Sequence, residues 1–300
     1  MTIFENDFSW SVSRDAVFKT CRRKYYYQYY GSWGGWSFDA ENKTRTIYIL
    51  KQLKNRQMWA GTIVHEAIEN VLKGLQDGVK IDKNEIIEAT LGLMREEFKS
   101  SLAKMYLMKP KTCALFEHEY QLPVSDVEWK KNSEHVVSCL KTFFDSKVYK
   151  EIIQMSLDQW LEVEEFSSFY DEGIKIYSVF DFACRKNEVV YIYDWKTGKD
   201  KHETHKLQLA CYGKFAILKW DLNPNQVQLR EFNLSDGKIH VLSFDEFDLA
   251  GIQKHIRNSI ENMLNCHEDR QKNTAVEERF AFCENRKICE YCNYLKICPR

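Results

Sequence analysis

The segment Val189-Val190-Tyr191-Ile192-Tyr193-Asp194-Trp195-Lys196-Thr197-Gly198 is the most informative stretch of the chain. It begins as a β-branched and aromatic run, which is typical of a buried strand, and it ends abruptly in charged residues. Alternation along a strand places Asp194 and Lys196 on one face, two residues apart. The segment therefore predicts a sheet whose rim carries a carboxylate and an ammonium group.

Strand patterns surround this segment. Residues 160–164, 174–182 and 189–196 alternate with a period of two, and turns at 171–173 and 185–187 predict a three-stranded antiparallel meander. Thr204 can cap a helix that continues to Trp220, strands follow near 226–234 and 238–243, and a last long helix spans 245–265. A crossover helix between strands predicts a mixed sheet.

The first half of the chain has a helical pattern. Ser11 or Ser13 with Asp15 resembles a helix N-cap and Gly31 a stop, which predicts a helix over residues 14–30. An amphipathic helix ends near Asp77-Gly78, and residues 82–108 and 131–154 also have helical spacing. We therefore expect an α/β fold with a helical N-terminal half.

Composition limits the class of protein. Three hundred residues with 44% hydrophobic content and four prolines can bury a substantial core. The net charge of −1 gives no general attraction to nucleic acid, so such binding would need local basic patches. No signal peptide or membrane-spanning run is evident, so we expect a cytoplasmic protein without a membrane partner. Ten cysteines then indicate metal or cluster ligation more than disulfides.

Asp181 precedes Asp194 by thirteen residues. A turn centred near Asn187-Glu188 would place the two carboxylates opposite each other, where they repel unless a cation such as Mg²⁺ or Mn²⁺ lies between them. Lys196 beside them suits a developing negative charge on a phosphate. The short Asp-x-Lys pattern by itself is more often a solvated surface pair.

Three further residues become candidate site residues only when they are considered together. His65 lies at the edge of the apolar stripe of its helix, and Gln208 and Tyr212 share one helix face four residues apart. Taken singly, a histidine in this position is more often a structural residue. Gln208 and Tyr212 alone are as likely to be an ordinary helix-surface pair. With Asp181 and the segment Asp194-Trp195-Lys196-Thr197-Gly198, however, they resemble the ordered motifs of RecB-type exonucleases in the PD-(D/E)XK superfamily.

This resemblance covers nearly the whole chain and implies a restriction-endonuclease-like mixed sheet flanked by helices. It implies that His65, Asp181, Asp194 and the main-chain carbonyl of Trp195 hold the metal, and that Lys196 is catalytic. It assigns positioning roles to Gln208 and Tyr212. Glu162 or Glu164 could supply a further acid, and the sequence does not choose between them.

The C-terminal tail carries Cys289-x-x-Cys292-x-x-x-x-x-Cys298, which supplies three thiolates. Spacing does not decide which cysteine supplies the fourth thiolate. Cys283 would complete a local zinc site, and Cys21 could take part only if the termini meet. The chain is similar to CRISPR-associated RecB-like nucleases and to the nuclease part of AddB-type subunits. That similarity implies Cys21 and a structural [4Fe–4S] cluster. Five other cysteines are expected to be buried: Cys113, Cys139, Cys184, Cys211 and Cys266.

A basic and aromatic run, Arg22-Arg23-Lys24-Tyr25, is followed by Trp33 and Trp36. It could bind phosphates and stack on bases, or it could belong to the core. We expect one nuclease domain over residues 1–300. Within it, residues 1–36 and 266–300 would join as an iron–sulfur subdomain, residues 82–154 would form a helical insertion, and residues 160–265 would form the core.

The leading hypothesis is a metal-dependent DNA nuclease, an exonuclease that acts on single-stranded or free DNA ends. Its setting would be CRISPR adaptation, recombinational repair, or viral or defence DNA processing. No P-loop motif is present, so a helicase or CRISPR adaptation protein would be a separate partner. The alternatives are a catalytically silent DNA-binding or assembly subunit and a zinc-stabilised structural protein.

Overall fold

A five-stranded mixed sheet lies at the centre of the computed structural model, which describes residues 6–164, 167–198, 202–244 and 249–300. Its strands, in spatial order, are β2 (Trp160–Val163), β5 (Phe182–Lys186), β6 (Val189–Lys196), β7 (Val227–Asn233) and β8 (Ile239–Ser243). Strands β6 and β7 are parallel, and the other neighbours are antiparallel. The predicted mixed sheet is confirmed.

The hairpin between β5 and β6 turns at Asn187 and Glu188, which both have left-handed backbones (φ 50° and 66°). A two-residue loop with positive φ at both positions matches the twist of the flanking strands. The register pairs Lys186 with Val189 and Phe182 with Tyr193. Asp181 and Asp194, the next residue on each side, therefore reach the same end of the hairpin, as predicted.

The predicted three-stranded meander is wrong in one respect. Residues 174–182 do not form one strand, because β4 (Ile174–Ser178) belongs to a second sheet and β5 to the central one. Strand β4 pairs antiparallel with β3 (Ser167–Asp171), which the polar sequence of that segment did not indicate, and parallel with β1 (Ser9–Trp10). The split allows Ile176 and Phe180 to enter the core beneath the crossover helix.

The N-terminal half is helical, as predicted, and also contains short helices that the sequence analysis did not identify. Its helices are α1 (Val12–Thr20), α2 (Arg22–Tyr26), a π-helical turn (Tyr27–Gly31), α3 (Asn42–Lys51), α4 (Arg56–Gln76), α5 (Lys83–Leu102), α6 (Phe116–Glu119), α7 (Asp126–Asp145) and α8 (Lys147–Ile152).

The single helix predicted over residues 14–30 is broken at Cys21. The backbone of Cys21 is extended (φ −163°), and its Sγ accepts a hydrogen bond from the Lys24 amide at 3.4 Å. Cys21 thus ends α1 and caps α2, because its sulfur satisfies one of the free amides at the start of the second helix.

Helices cover both faces of the central sheet. Helices α4, α5, α7 and α8 share one apolar core with Phe182, Tyr193, Trp195 and Phe232 of the sheet. The other core holds α9 (His202–Trp220) and α10 (Leu249–Leu264) against Val190, Ile192 and Leu229. Gly213 is required on α9, because a Cβ there would lie 2.1 Å from the Phe244 ring.

This layered arrangement is consistent with the expected restriction-endonuclease-like α/β fold. The structure does not describe the side chain of Thr204, the predicted cap residue. The start of the predicted last helix, residues 245–248, also lies outside the described residues. Two short strands, β9 (His267–Asp269) and β10 (Thr274–Ala275), precede the cysteine-rich tail. Among the described helices, none is long and apolar enough to cross a membrane.

The two ends of the chain contact each other. The buried Arg23 donates to the carboxylate of Glu277 at 2.6 Å and to the carbonyl oxygen of Phe280 at 2.8 Å. Tyr27 also donates to Glu277, at 2.6 Å. These contacts hold α2 against the tail. The predicted division into subdomains stays a prediction.

Asp15 joins α1 to α10. Its buried carboxylate accepts hydrogen bonds from Ser259 (2.5 Å) and His255 (3.0 Å) and pairs with Lys19 (2.7 Å), while Trp10 donates to Ser259. Burial acts to raise the pKa of Asp15, but the bonds from Lys19, Ser259 and His255 outweigh it and hold that pKa below 3.8. The ionised form is therefore the stabilising one.

We expect Asp15→Ala to lower the free energy of unfolding by about 2–3 kcal/mol at neutral pH, because hydrogen bonds to a charged group contribute that much. Since the folded pKa is depressed, the difference from wild type should disappear as pH falls through that pKa. Urea unfolding measures both effects. The control Glu261→Ala removes an exposed ion pair of α10 and should cost less than about 1 kcal/mol. Equal losses in the two variants would contradict the assignment.

Candidate active site

Three side chains from separate elements meet at the rim of the central sheet. His65 comes from α4, Glu164 follows β2, and Asp181 precedes β5. The Nδ1 atom of His65 lies 2.9 Å from Asp181 Oδ1 and 3.6 Å from Glu164 Oε1. One ligand atom of each residue lies within 4.8 Å of the others, so the three could hold a metal ion together.

Local backbone features place these groups. Glu164 has a left-handed backbone (φ 47°), which is uncommon for a residue with a side chain, and its amide donates to the carbonyl oxygen of Asp181 at 3.1 Å. Gly61 lies one turn before His65, and a Cβ there would be 3.1 Å from Thr197 Oγ1. The small residue lets α4 approach the end of β6 closely.

The electrostatics of this group favour a cation. Burial acts against a charge on His65, but Asp181 and Glu164 together raise its pKa well above the usual value. Burial also raises the pKa of Glu164, to about 7, with Asp181 adding to the shift and His65 opposing it. Glu164 Oε1 is buried without a hydrogen-bond partner. One buried and one half-buried carboxylate, with one oxygen that lacks a hydrogen-bond partner, form a donor set that suits a hard divalent ion.

A second group forms a closed ring beside the first. Lys196 Nζ lies 2.5 Å from Asp194 Oδ2 and donates to Gln208 Oε1 at 3.1 Å. Gln208 donates to the Tyr212 hydroxyl at 2.5 Å, which donates to Asp194 Oδ1 at 3.3 Å. Burial acts to lower the pKa of Lys196, but Asp194 raises it above the usual value, so the ammonium stays charged.

Asp181 links the two groups, since its second carboxylate oxygen accepts a hydrogen bond from the main-chain amide of Trp195. The predicted residues His65, Asp181, Asp194, Lys196, Gln208 and Tyr212 therefore come together. The Asp194 carboxylate, however, belongs to the lysine ring and not to the group around His65. The roles of Asp194 and of the Trp195 carbonyl as metal ligands stay predictions.

The structure distinguishes Glu162 from Glu164. Glu162 is buried against Lys219, and Ser167 lies 3.5 Å from its carboxylate. Glu164 instead faces His65 and Asp181. Strand alternation alone would place both acids on one face, and only the left-handed backbone at Glu164 separates them.

Two histidines near the site were not found from the sequence. His135 on α7 donates from Nε2 to the carbonyl oxygen of Thr197 at 2.7 Å, which fixes the loop after β6. His205 on α9 lies 2.6 Å from Glu231, and Glu231 is the neighbour of Asp194 in the parallel register. These partners are far apart in sequence, so no local pattern could have indicated them.

Five cysteines line one cavity between the ends of the chain: Cys21, Cys283, Cys289, Cys292 and Cys298. Cys283 Sγ lies 3.6 Å from Cys289 Sγ. Among the described residues, no three cysteine sulfurs lie within 4.8 Å of one another. Of the other five, Cys139, Cys184, Cys211 and Cys266 are buried, as expected, whereas Cys113 is only partly buried.

The basic and aromatic run of α2 divides between surface and core. Tyr25 is fully buried and Arg23 is buried in its contacts with the tail, so neither offers a surface to a nucleic acid. Lys24 lines the cysteine cavity, and Arg22 is exposed. Nucleic-acid binding by this run therefore stays a prediction, and burial argues against it for Arg23 and Tyr25.

Comparisons with known proteins address the class of enzyme. No curated protein matches the chain. A solved structure titled "Crystal structure of SSO0001" is 16% identical, covering 61% of this chain and 78% of that chain with a TM-score of 0.31. The family model of the PD-(D/E)XK nuclease superfamily matches residues 9–299. Because that match spans nearly the whole sequence and includes both groups at the sheet rim, the chain belongs to the PD-(D/E)XK nuclease superfamily.

Proposed function

We propose that the protein hydrolyses phosphodiester bonds of DNA at the rim of the central sheet, with a divalent metal ion. The observation that carries this proposal is the clustering of His65, Glu164 and Asp181 beside the half-buried, charged Lys196. Membership of a nuclease superfamily agrees with it. A purely structural site would not need two buried acids and a lysine at one edge.

The donor set fits Mg²⁺ or Mn²⁺, which prefer oxygen ligands. His65, Glu164 and Asp181 would hold the ion, and Asp194 and the Trp195 carbonyl are the further ligands that the resemblance implies. When bound, such an ion would polarise the phosphate and lower the pKa of a water nucleophile. Glu164 Oε1 has no hydrogen-bond partner and lies 3.6 Å from His65 Nδ1, so an ion held there would supply the missing partner.

Lys196 has the geometry of a catalytic residue. Its ammonium is held by Asp194 and Gln208, and Tyr212 holds both of these partners. We infer that this ring keeps Lys196 charged and fixed, so that it stabilises the negative charge that develops on the phosphate without reorganising. Gln208 and Tyr212 act through Lys196 and Asp194 and are positioning residues.

The finer proposal is a RecB-like exonuclease that acts on single-stranded or free DNA ends. It rests on the order of His65, Asp181, Asp194-x-Lys196 and Gln208-x-x-x-Tyr212 along the chain. A role in CRISPR adaptation, recombinational repair or defence, beside a helicase or adaptation protein, follows from the same resemblance. The alternative, a silent DNA-binding or assembly subunit, is disfavoured because every member of the acid and lysine set is present.

We further propose that Cys21, Cys289, Cys292 and Cys298 hold a [4Fe–4S] cluster with a structural role. A zinc ion holds four thiolates at about 2.3 Å, so their sulfurs would lie within about 4 Å of one another. Among the described residues no three cysteine sulfurs are this close, which disfavours a single zinc ion, and the four thiols line one cavity. Cys283 contacts Cys289 as a fifth thiol.

We expect Lys196→Ala to lower kcat on end-labelled DNA by about 10²–10³-fold, because it removes a preorganised group that stabilises the transition state. Steady-state cleavage with Mn²⁺ or Mg²⁺ and with EDTA measures this loss. Lys99→Ala, which removes an exposed lysine, is the matched control. Undiminished cleavage by the Lys196 variant would contradict the assignment, as would cleavage in EDTA.

Metal binding can be measured without activity. We expect saturating Mn²⁺ to raise the Tm of the wild-type protein, since a ligand at about 100 times its Kd stabilises the folded state by about 2.7 kcal/mol. Asp181→Asn and Glu164→Gln should lose this increment. Asp145→Asn, at an exposed position on α7, should keep it. A full Mn²⁺ shift in the Asp181 and Glu164 variants would place the ion elsewhere.

We expect anaerobically purified protein to contain about four iron atoms per chain, as a [4Fe–4S] cluster requires. Cys21→Ser should lose most of this iron, and Cys113→Ser and Cys283→Ser should retain it. Metal analysis and visible absorption measure the content. Stoichiometric zinc with no iron, or iron lost from the Cys283 variant and kept by the Cys21 variant, would overturn the ligand set.

A further inference from the structure

A cleft of about 410 Å³ opens beside the lysine ring, and its lining combines α1, β4 and α9. We name it the Arg14 cleft, and its polar lining includes Ser13, Arg14, Tyr29, Ser178, Gln208 and Tyr212. Gln208 and Tyr212 are the residues that contact Lys196 and Asp194. The cleft therefore shares a wall with the candidate active site.

Arg14 supplies a fixed positive charge to this cleft. Its Nη1 donates to the Ser9 carbonyl oxygen at 3.2 Å, and its guanidinium lies 4.3 Å from the centre of the Tyr29 ring. Both contacts hold the side chain in one orientation, and neither neutralises it. The described lining of the cleft contains no Asp or Glu. A guanidinium in such surroundings is a site for a phosphate oxygen.

Ser178 provides an independent indication of a ligand. It is only 3% exposed, it lines the cleft, and its Oγ has no hydrogen-bond partner. Buried hydroxyl groups are nearly always paired, because an unpaired one loses its hydrogen bonds to water without replacement. A polar atom of a ligand in the cleft would complete the pairing.

We propose that the Arg14 cleft binds the nucleotide next to the scissile bond of a DNA single strand. Arg14 contacts its phosphate and Ser178 a further polar atom. The volume lies within the range of small-ligand pockets, about 300–1,000 Å³, so it accommodates one nucleotide unit and not a duplex. This inference rests on the proposed function, for which it specifies the substrate as unpaired DNA.

The test is binding of fluorescein-labelled oligo-dT in EDTA, measured by anisotropy at several salt concentrations. Arg14→Ala should weaken binding about tenfold or more, as expected for a charge-assisted contact. It should also reduce the slope of log affinity against log salt by about 0.7, the value for one phosphate contact on a single strand. Arg270→Ala, an exposed position outside the cleft, should change neither.

Ser178→Ala is a second variant that separates a loss of DNA binding from a loss of folding. Removing an unpaired hydroxyl should leave the Tm unchanged or higher, and binding should still weaken. Wild-type affinity in both variants would overturn the proposal, as would weaker binding by Arg14→Ala with an unchanged salt slope. An unlabelled duplex that competes as well as the single strand would also overturn it. Because the assay needs no cleavage, an inactive wild-type protein would contradict the nuclease proposal separately.

Discussion

The carboxylate of Asp181 joins helix α4 to the central sheet, and the rest of the site is arranged around it. One oxygen meets His65 from α4, and the other accepts the Trp195 amide from β6. Trp195 itself is buried in the core that α4 shares with the sheet. Packing therefore fixes the distance between His65 and the end of β6. The Asp181 carboxylate lies between them and contacts both.

That arrangement separates two electrostatic environments a few ångströms apart. Around His65, Asp181 is buried and Glu164 half-buried, and one Glu164 oxygen has no hydrogen-bond partner, which makes a site for a cation. Around Lys196, the ammonium is paired with Asp194, Gln208 accepts a hydrogen bond from Lys196, and Tyr212 donates one to Asp194. A phosphate between them would meet positive charge from both sides, since the first group would carry the metal and the second already carries the ammonium.

Helix α1 connects the place where the two ends of the chain meet to the Arg14 cleft. The break at Cys21 turns one thiol toward the tail, and α1 continues from that point back to Ser11 and Arg14 at the cleft. Asp15 on the same helix anchors α1 to α10. The contacts between the termini therefore help to hold the proposed DNA-binding surface in place.

The sequence by itself determined the strand pattern around Asp194 and Lys196, a hairpin turn near Asn187, the amphipathic α4, the α9 crossover and the superfamily. These features are local, because they depend on alternation, helical periodicity and turn chemistry within short windows. Motif order along the chain was also sufficient to predict that His65, Asp181, Lys196, Gln208 and Tyr212 would meet.

Only the tertiary structure decided the rest. The choice of Glu164 over Glu162 depends on a backbone conformation set by contacts with Asp181. The split of residues 174–182 between two sheets depends on where Ile176 and Phe180 are buried. The pairing of His135 with Thr197, the burial of Tyr25, and the proximity of Arg14 to Gln208 all join distant segments. Periodicity carries no information about such contacts, because it records which face a residue occupies and not which partner that face will meet.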